Sequence, residues 1–321
     1  MNGLSNTYRF PVYAWIGLAL LILGHSLLLL NINEGEHGIY FLVWWPYILT
    51  VDGLVYHRKG TSLLTHHRKK FFQLLPLSIL FWLIFELFNI ALSNWHYIMV
   101  PQNPVFRWMA YAICFATVLP AIFGTKDGLE AYGLFKNSRI RAIAPSTRWY
   151  KPAVIMGLAF LILPLLWPQY FFPMVWLGFT FLLEPFNHHF GARSLMRDWE
   201  QGSLRTFYLL LVAGAICGLL WEFWNFWSIT KWVYTIPYVG WLKVFEMPTL
   251  GFFGFPPFAV ECYVMLNTVA LIRKRLSWRY ITYFTFFPRS IRVLLPGLTV
   301  LLFFLYAFYM IDMNSVISWR P

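Results

Sequence analysis

Two acids set in very apolar surroundings are the residues of this chain best placed to do chemistry. "LLWEFWNFWSITKWVYTIP" (219–237) holds Glu222 with Asn225 three residues on, and "LIFELFNIALSNWHYIMVP" (83–101) repeats the pattern with Glu86 and Asn89. Each Glu-x-x-Asn is followed by a Trp-x-Tyr, Trp232-x-Tyr234 in one case and Trp95-x-Tyr97 in the other. Residues at i and i+3 share a helix face. A carboxylate at mid-membrane costs about 2.5–3.5 kcal/mol on insertion scales, so each one needs a reason. In a dry aromatic pocket such acids can give and take protons. On that reading Glu222 and Glu86 exchange the proton, Asn225 and Asn89 orient them, and Glu261, just past Pro256-Pro257, approaches the same cavity. Trp221, Trp224, Trp232 and Tyr234, with Trp95 and Tyr97, then line a ligand's path. The alternative is that the same pairs act as hydrogen-bonding glue across a helix seam, worth ~1 kcal/mol.

A second constellation sits where two apolar runs end. "DGLVYHRKGTSLL" supplies Asp52, His57, Arg58, Lys59, Gly60 and Ser62, and "EPFNHHFGARSLM" supplies Glu184, His188, His189, Arg193 and Ser194. Basic loops with Gly and Ser suit an anionic lipid headgroup. They equally suit plain positive-inside anchoring.

The elements that must carry these groups follow from composition. The 321 residues are 59% hydrophobic, 21% aromatic and 12% charged, where an ordinary soluble domain is about 25% charged. Nine apolar runs, near 11–31, 39–56, 71–92, 105–124, 152–169, 171–189, 206–228, 249–272 and 293–312, are each long enough to span as helices. The expected fold is therefore an all-α polytopic membrane protein. Segment 57–70 carries five Lys/Arg and no acid, 125–151 six against two acids, and 273–292 six against none, while the alternate connections are close to neutral. That asymmetry predicts a plasma-membrane protein with its N-terminus cytoplasmic and its C-terminus outside. The net charge of +12 then reflects topology and attraction to anionic headgroups, with no soluble basic domain to bind nucleic acid. Cys114, Cys217 and Cys262 all fall within spans and suggest neither a disulfide framework nor a metal site. A haem would want His on facing spans, and only His25 lies well inside one. No cofactor is assigned.

Self-similarity orders the spans. "GLALLIL" from Gly17 recurs as "GLAFLIL" from Gly157. Asp52, His57, Ser62 and Leu63 recur as Glu184, His189, Ser194 and Leu195, and the Glu-x-x-Asn…Trp-x-Tyr run follows in the same order. This predicts two four-helix units, 1–130 and 131–275, plus an extra helix in 276–321. An even number of spans per unit makes the repeats parallel.

The segment from Trp221 onward resembles the membrane lycopene cyclase domain of carotenoid synthesis. The similarity is carried by Trp221-Glu222, the turn "KWVYTIPY", the run "EMPTLGFFGF" and Pro256-Pro257. Bacterial carotenoid hydratases show a similar Glu followed by an aromatic turn. The family's paired acids after the Pro are absent, Leu250-Gly251 standing in their place. The resemblance implies an isoprenoid-sized cavity. The expected function is thus a membrane enzyme acting on a long apolar lipid, plausibly an isoprenoid or carotenoid, by acid–base chemistry. A proton-coupled transporter or lipid flippase is the first alternative. A non-catalytic subunit of a larger membrane complex is the second.

Overall fold

A computed structural model describes residues 7–30, 39–143, 147–276 and 289–317. The acidic connection 32–38 and most of the basic connection 273–292 lie outside the described residues. The helices are α1 (Val12–Leu29), α2 (Ile39–Lys59), α3 (Leu63–His66), α4 (Arg68–Leu92), α5 (Pro104–Phe115), α6 (Val118–Ala131), α7 (Tyr150–Leu166), α8 (Pro168–Phe171), α9 (Val175–His189), α10 (Leu195–Glu200), α11 (Arg205–Trp227), α12 (Phe255–Leu276) and α13 (Arg289–Asn314). Seven helical stretches among the described residues are long and apolar enough to cross a bilayer, with α5 and α6 together making one of them. α1 is shorter, and α9 has only 15 residues.

The run expected as one span over 105–124 is broken between α5 and α6. Pro120 explains the break, because it lacks an N–H and its ring crowds the carbonyl four residues back. The freed groups are met from α4: the Ser78 hydroxyl donates to the Phe115 carbonyl at 2.5 Å and accepts from the Leu119 N–H at 3.0 Å. In the other half, the 3-10 turn Thr249–Gly254 precedes α12, whose early Pro256 and Pro257 sit where N–H groups need no helical partner. Gly/Pro interruption is thus present in both halves, although the sequence displays it plainly only in the second.

Small residues set the closest helix approaches. A Cβ on Gly157 of α7 would lie 2.4 Å from the Leu182 backbone nitrogen of α9, and one on Gly17 of α1 would lie 2.9 Å from the Pro46 carbonyl of α2. Gly214 and Gly218 of α11 bring α12 equally near, with the Phe255 carbonyl 2.5 Å from a Cβ at 214. Gly157→Ala should therefore push α7 off α9 and cost about 1–3 kcal/mol. Thermal unfolding in detergent checks it, and an unchanged midpoint would contradict this packing.

The fold is all-α in class, as expected, and adds two short ladders. β1 (Trp95–Ile98) pairs antiparallel with β2 (Lys231–Tyr234), and β3 (Lys243–Val244) pairs with β4 (Met247–Pro248). The β1–β2 register sets Trp95 opposite Tyr234 and Tyr97 opposite Trp232. Directly opposed residues, and those two apart, share one face of a sheet. All four aromatic side chains therefore lie on one side of the ladder.

α13 is tied to this ladder. Ser315 accepts the Tyr97 N–H at 2.7 Å, and Ala307, Phe308, Ile311 and Val316 pack with Leu83, Tyr97 and Tyr111. Its Asp312 meets Arg107 of α5 through two bonds, from Nε at 2.8 Å and Nη2 at 2.6 Å, and also accepts from Trp108 Nε1 and Tyr111 Oη. The sequence shows Arg107 and Asp312 only as two separate intramembrane charges. In the fold they neutralise each other.

Candidate functional site

The four aromatics of the ladder aim their polar tips at the two acids. Glu86 Oε1 accepts from Tyr97 Oη at 2.5 Å, Trp82 Nε1 at 2.8 Å and Trp95 Nε1 at 3.1 Å. Glu222 Oε1 accepts from Tyr234 Oη at 2.7 Å and Trp232 Nε1 at 3.4 Å. Trp232 Nε1 also donates to Tyr234 Oη at 2.8 Å. Burial, reinforced by the neighbouring acid in each case, pushes the Tyr97 and Tyr234 phenols well above their ordinary value. Both therefore remain donors at any physiological pH.

The asparagines do a different job from the one expected. Neither bonds its glutamate. Asn89 Oδ1 accepts the N–H groups of Asn94 and Trp95, and its Nδ2 donates to the Trp95 carbonyl at 2.8 Å. Asn225 does the same for Trp232, accepting its N–H at 2.9 Å and donating to its carbonyl at 2.8 Å. A side-chain amide has a donor and an acceptor, so it can imitate a strand neighbour at the point where the chain leaves the helix. The asparagines hold the strands, and the strands hold the acids. Asn89→Ala and Asn225→Ala should each cost about 1–3 kcal/mol by leaving buried backbone groups unsatisfied. The check is thermal unfolding of each variant, and a shift confined to one of them would contradict the matching roles.

Beneath the ladder lies a cavity of about 670 Å³ lined chiefly by carbon, within the range of small-molecule sites. Its wall includes Trp82, Trp95, Tyr97, Trp176, Trp221, Glu222, Trp232, Tyr234 and Phe258. Glu222 is fully buried, and its Oε2 has no hydrogen-bond partner. The amide oxygen of Asn94, also on the wall, is likewise buried and unpartnered. A buried polar atom without a partner is costly, and here two of them belong to residues facing space that a ligand or water can fill.

The predicted cluster of acids is not assembled at the cavity: of the three, only Glu222 lines it. Glu86 does not line the cavity; it stands behind Trp82, Trp95 and Tyr97, which take up its Oε1 and cover it. Glu261 is elsewhere too. Its Oε1 accepts the Phe179 N–H of α9 at 2.7 Å, holding α12 against α9. Trp224, expected on the cavity wall, turns away: it packs edge-on to Trp44 with centroids 4.7 Å apart and donates to His25 Nε2 at 3.1 Å. Residue 224 lies two positions from Glu222, about 200° around the helix, which is why it faces α2. Trp221 packs between Trp44 and Phe258 and lines the cavity.

At the other end of the bundle, the loops read as headgroup sites prove to be helix starts. Ser62 caps α3 and Ser194 caps α10, accepting the N–H of Thr65 and Arg197, and both are buried. Asp52 accepts from Ser62 Oγ, Tyr13 Oη and the Leu64 N–H, at 2.7, 2.6 and 3.2 Å. Glu184 accepts the equivalent Met196 N–H at 2.9 Å. These two serines are occupied by capping and unavailable to a headgroup. His57 Nδ1 is engaged by the Tyr8 carbonyl, and Lys59 pairs with Glu130 at 3.4 Å. Arg58 stacks over the Tyr132 ring at 4.9 Å. His189 and Arg193 remain at the periphery of this end, with His189 packed edge-on to Tyr150. No group of three or more metal-ligating side chains occurs among the described residues.

Tyr40, Trp176, Phe258 and Asn94 are cavity residues that sequence reasoning missed. Asn94 alone carried a signal, standing one residue before Trp95 at the strand start. Compared with known families, curated proteins and solved structures, the chain matches none.

Proposed function

We propose that this protein is an integral-membrane enzyme that transfers protons to and from a long apolar lipid, an isoprenoid or carotenoid, in the cavity beneath the β1–β2 ladder. One observation carries the reading: Glu222 lines a cavity made almost wholly of aromatic and aliphatic carbon, and its Oε2 has no hydrogen-bond partner in the protein. In the reaction, Glu222 in its acid form gives its proton to one carbon of a double bond, leaving a carbocation on the other. The faces of Trp221 and Trp232 stabilise that cation. The carboxylate left behind is held by Tyr234 and Trp232. It then regains a proton from a neighbouring carbon, giving an isomer. Where a second double bond of the same chain first attacks the cation and forms a carbon–carbon bond, loss of the proton beside the new cation gives a ring. Alternatively, water adds to the cation and supplies the proton. Glu86 is a positioning residue in this scheme, fixing Trp95 and Tyr97 on the same face of the ladder as Trp232 and Tyr234.

The nine spans, the cytoplasmic N-terminus and the two parallel units belong to the same proposal. Equivalent residues pair reciprocally across the ladder, Trp95 with Tyr234 and Tyr97 with Trp232. Two like-oriented units related by an axis along the membrane normal would bring their strands together in this way. The resemblance to carotenoid cyclases and hydratases supports the substrate class.

Incubation in D₂O tests the chemistry. Native membranes containing the protein should yield a lipid with deuterium on carbon, read by mass spectrometry against membranes lacking it. No deuterated lipid would remove the proposal. One observation favours the transporter reading instead: the breaks between α5 and α6 and before α12 fall in corresponding places of the two halves, as in transporters that bind cargo at interrupted helices. That reading predicts pH-driven lipid or solute flux in proteoliposomes without deuterium on carbon.

A further inference from the structure

The cavity wall is not sealed on all sides. Its outer roof is closed: the β1–β2 ladder spans it, Thr230 Oγ1 donates to the Met99 carbonyl at 2.8 Å, and Thr235 Oγ1 donates to the Ser93 carbonyl at 2.5 Å. Lys231 at the same roof is neutralised by Glu246 at 2.6 Å. Its flank is different. Met109 and Phe106 of α5 and Leu250 and Phe253 of the 249–254 turn all line the cavity, yet they are 54%, 64%, 60% and 74% exposed. The same four side chains therefore touch both the interior and the outer surface. All are apolar and belong to stretches long and apolar enough to lie in hydrocarbon.

We propose that the cavity opens sideways between α5 and the 249–254 turn and admits the hydrocarbon chain of a lipid directly from the bilayer. This rests on the reading of the cavity as a lipid site and adds its route of access. The break between α5 and α6 lets α5 diverge from the bundle, and the 3-10 turn with Gly251 and Gly254 on the cavity wall keeps the facing edge low. A chain lying in the outer half of the bilayer slides in tail-wise or by its middle. Among the described residues, the only acid it then meets on the wall is Glu222.

The test uses the full chain in phosphatidylcholine vesicles with diazirine-tagged geranylgeraniol as probe, followed by photolysis and peptide mapping. In the native protein, label should appear on α5, on 249–254 and on the cavity residues near Trp221 and Trp232, and untagged geranylgeraniol should compete it away. In the double variant Met109→Trp with Leu250→Trp, cavity label should be lost while label on the outer face of α5 persists. Ile162→Trp, on the exposed face of α7 and away from the cavity, should leave the pattern unchanged. Cavity label that survives the double substitution would overturn the lateral route. So would label spread over every lipid-facing helix with none in the cavity. Deuterium incorporation measured in the same vesicles separates the two ideas: if it persists in the doubly substituted protein, the route is wrong and the chemistry stands.

Discussion

Glu222→Gln should sharply reduce deuterium incorporation into lipid while leaving the protein folded. The amide is nearly isosteric and can still accept from Tyr234 and Trp232, so the hydrogen bonds that hold residue 222 to the ladder survive. Only the transferable proton is gone. General acid–base groups typically contribute about 10²–10⁴-fold in rate, and a loss in that range is expected. Glu86→Gln separates the two acids. It lies behind the wall with Oε1 satisfied by three donors, so its substitution should lower thermal stability and reduce rate far less. Equal loss of rate in both variants would mean that the two acids act as one catalytic pair and that the cavity wall is drawn wrongly.

Breaking the Arg107–Asp312 pair carries the largest expected cost to stability. The two side chains are 1% and 7% exposed, in a region with little water to solvate a charge left alone. Arg107→Ala strands the Asp312 carboxylate with only Trp108 and Tyr111 as donors. Removing one member of a buried pair costs about 3–5 kcal/mol. Arg107→Met combined with Asp312→Leu should recover much of that loss, because an apolar replacement leaves no uncompensated charge. The damage should reach Tyr97, because Ser315, three residues beyond Asp312, accepts its N–H. Thermal unfolding followed by tryptophan fluorescence reads the effect. A double variant no better than Arg107→Ala would contradict the pairing argument.

The class of fold was legible because the bilayer imposes it: long apolar runs need no tertiary knowledge to interpret. The order Glu-x-x-Asn then Trp-x-Tyr was legible too, but its geometry was not. The period-two spacing of Trp95 and Tyr97, and of Trp232 and Tyr234, is a strand signal, and it was overshadowed by the interfacial preference of both residue types. Only the pairing of β1 with β2, well over a hundred residues apart in sequence, converts four scattered aromatics into one plate of donors. The roles of Asn89 and Asn225 follow from that plate and cannot be read from helix-face spacing. Trp224 shows the same limit. Two residues from Glu222 is close in sequence and nearly opposite on a helix. The Gly214-x-x-x-Gly218 spacing, by contrast, was an available signal for the tight α11–α12 approach. The Arg107–Asp312 pair left no local trace, since its members are 205 residues apart in the chain.

The most direct measurement is an electron-density map of the protein purified from its native membrane without added lipid. The account predicts an elongated density threaded between α5 and the 249–254 turn, with one segment within about 4 Å of the Glu222 carboxyl, at contact distance. A cavity collapsed so that Trp221, Trp232 and Phe258 pack against one another, with Glu222 bonded through both oxygens to protein, would contradict it.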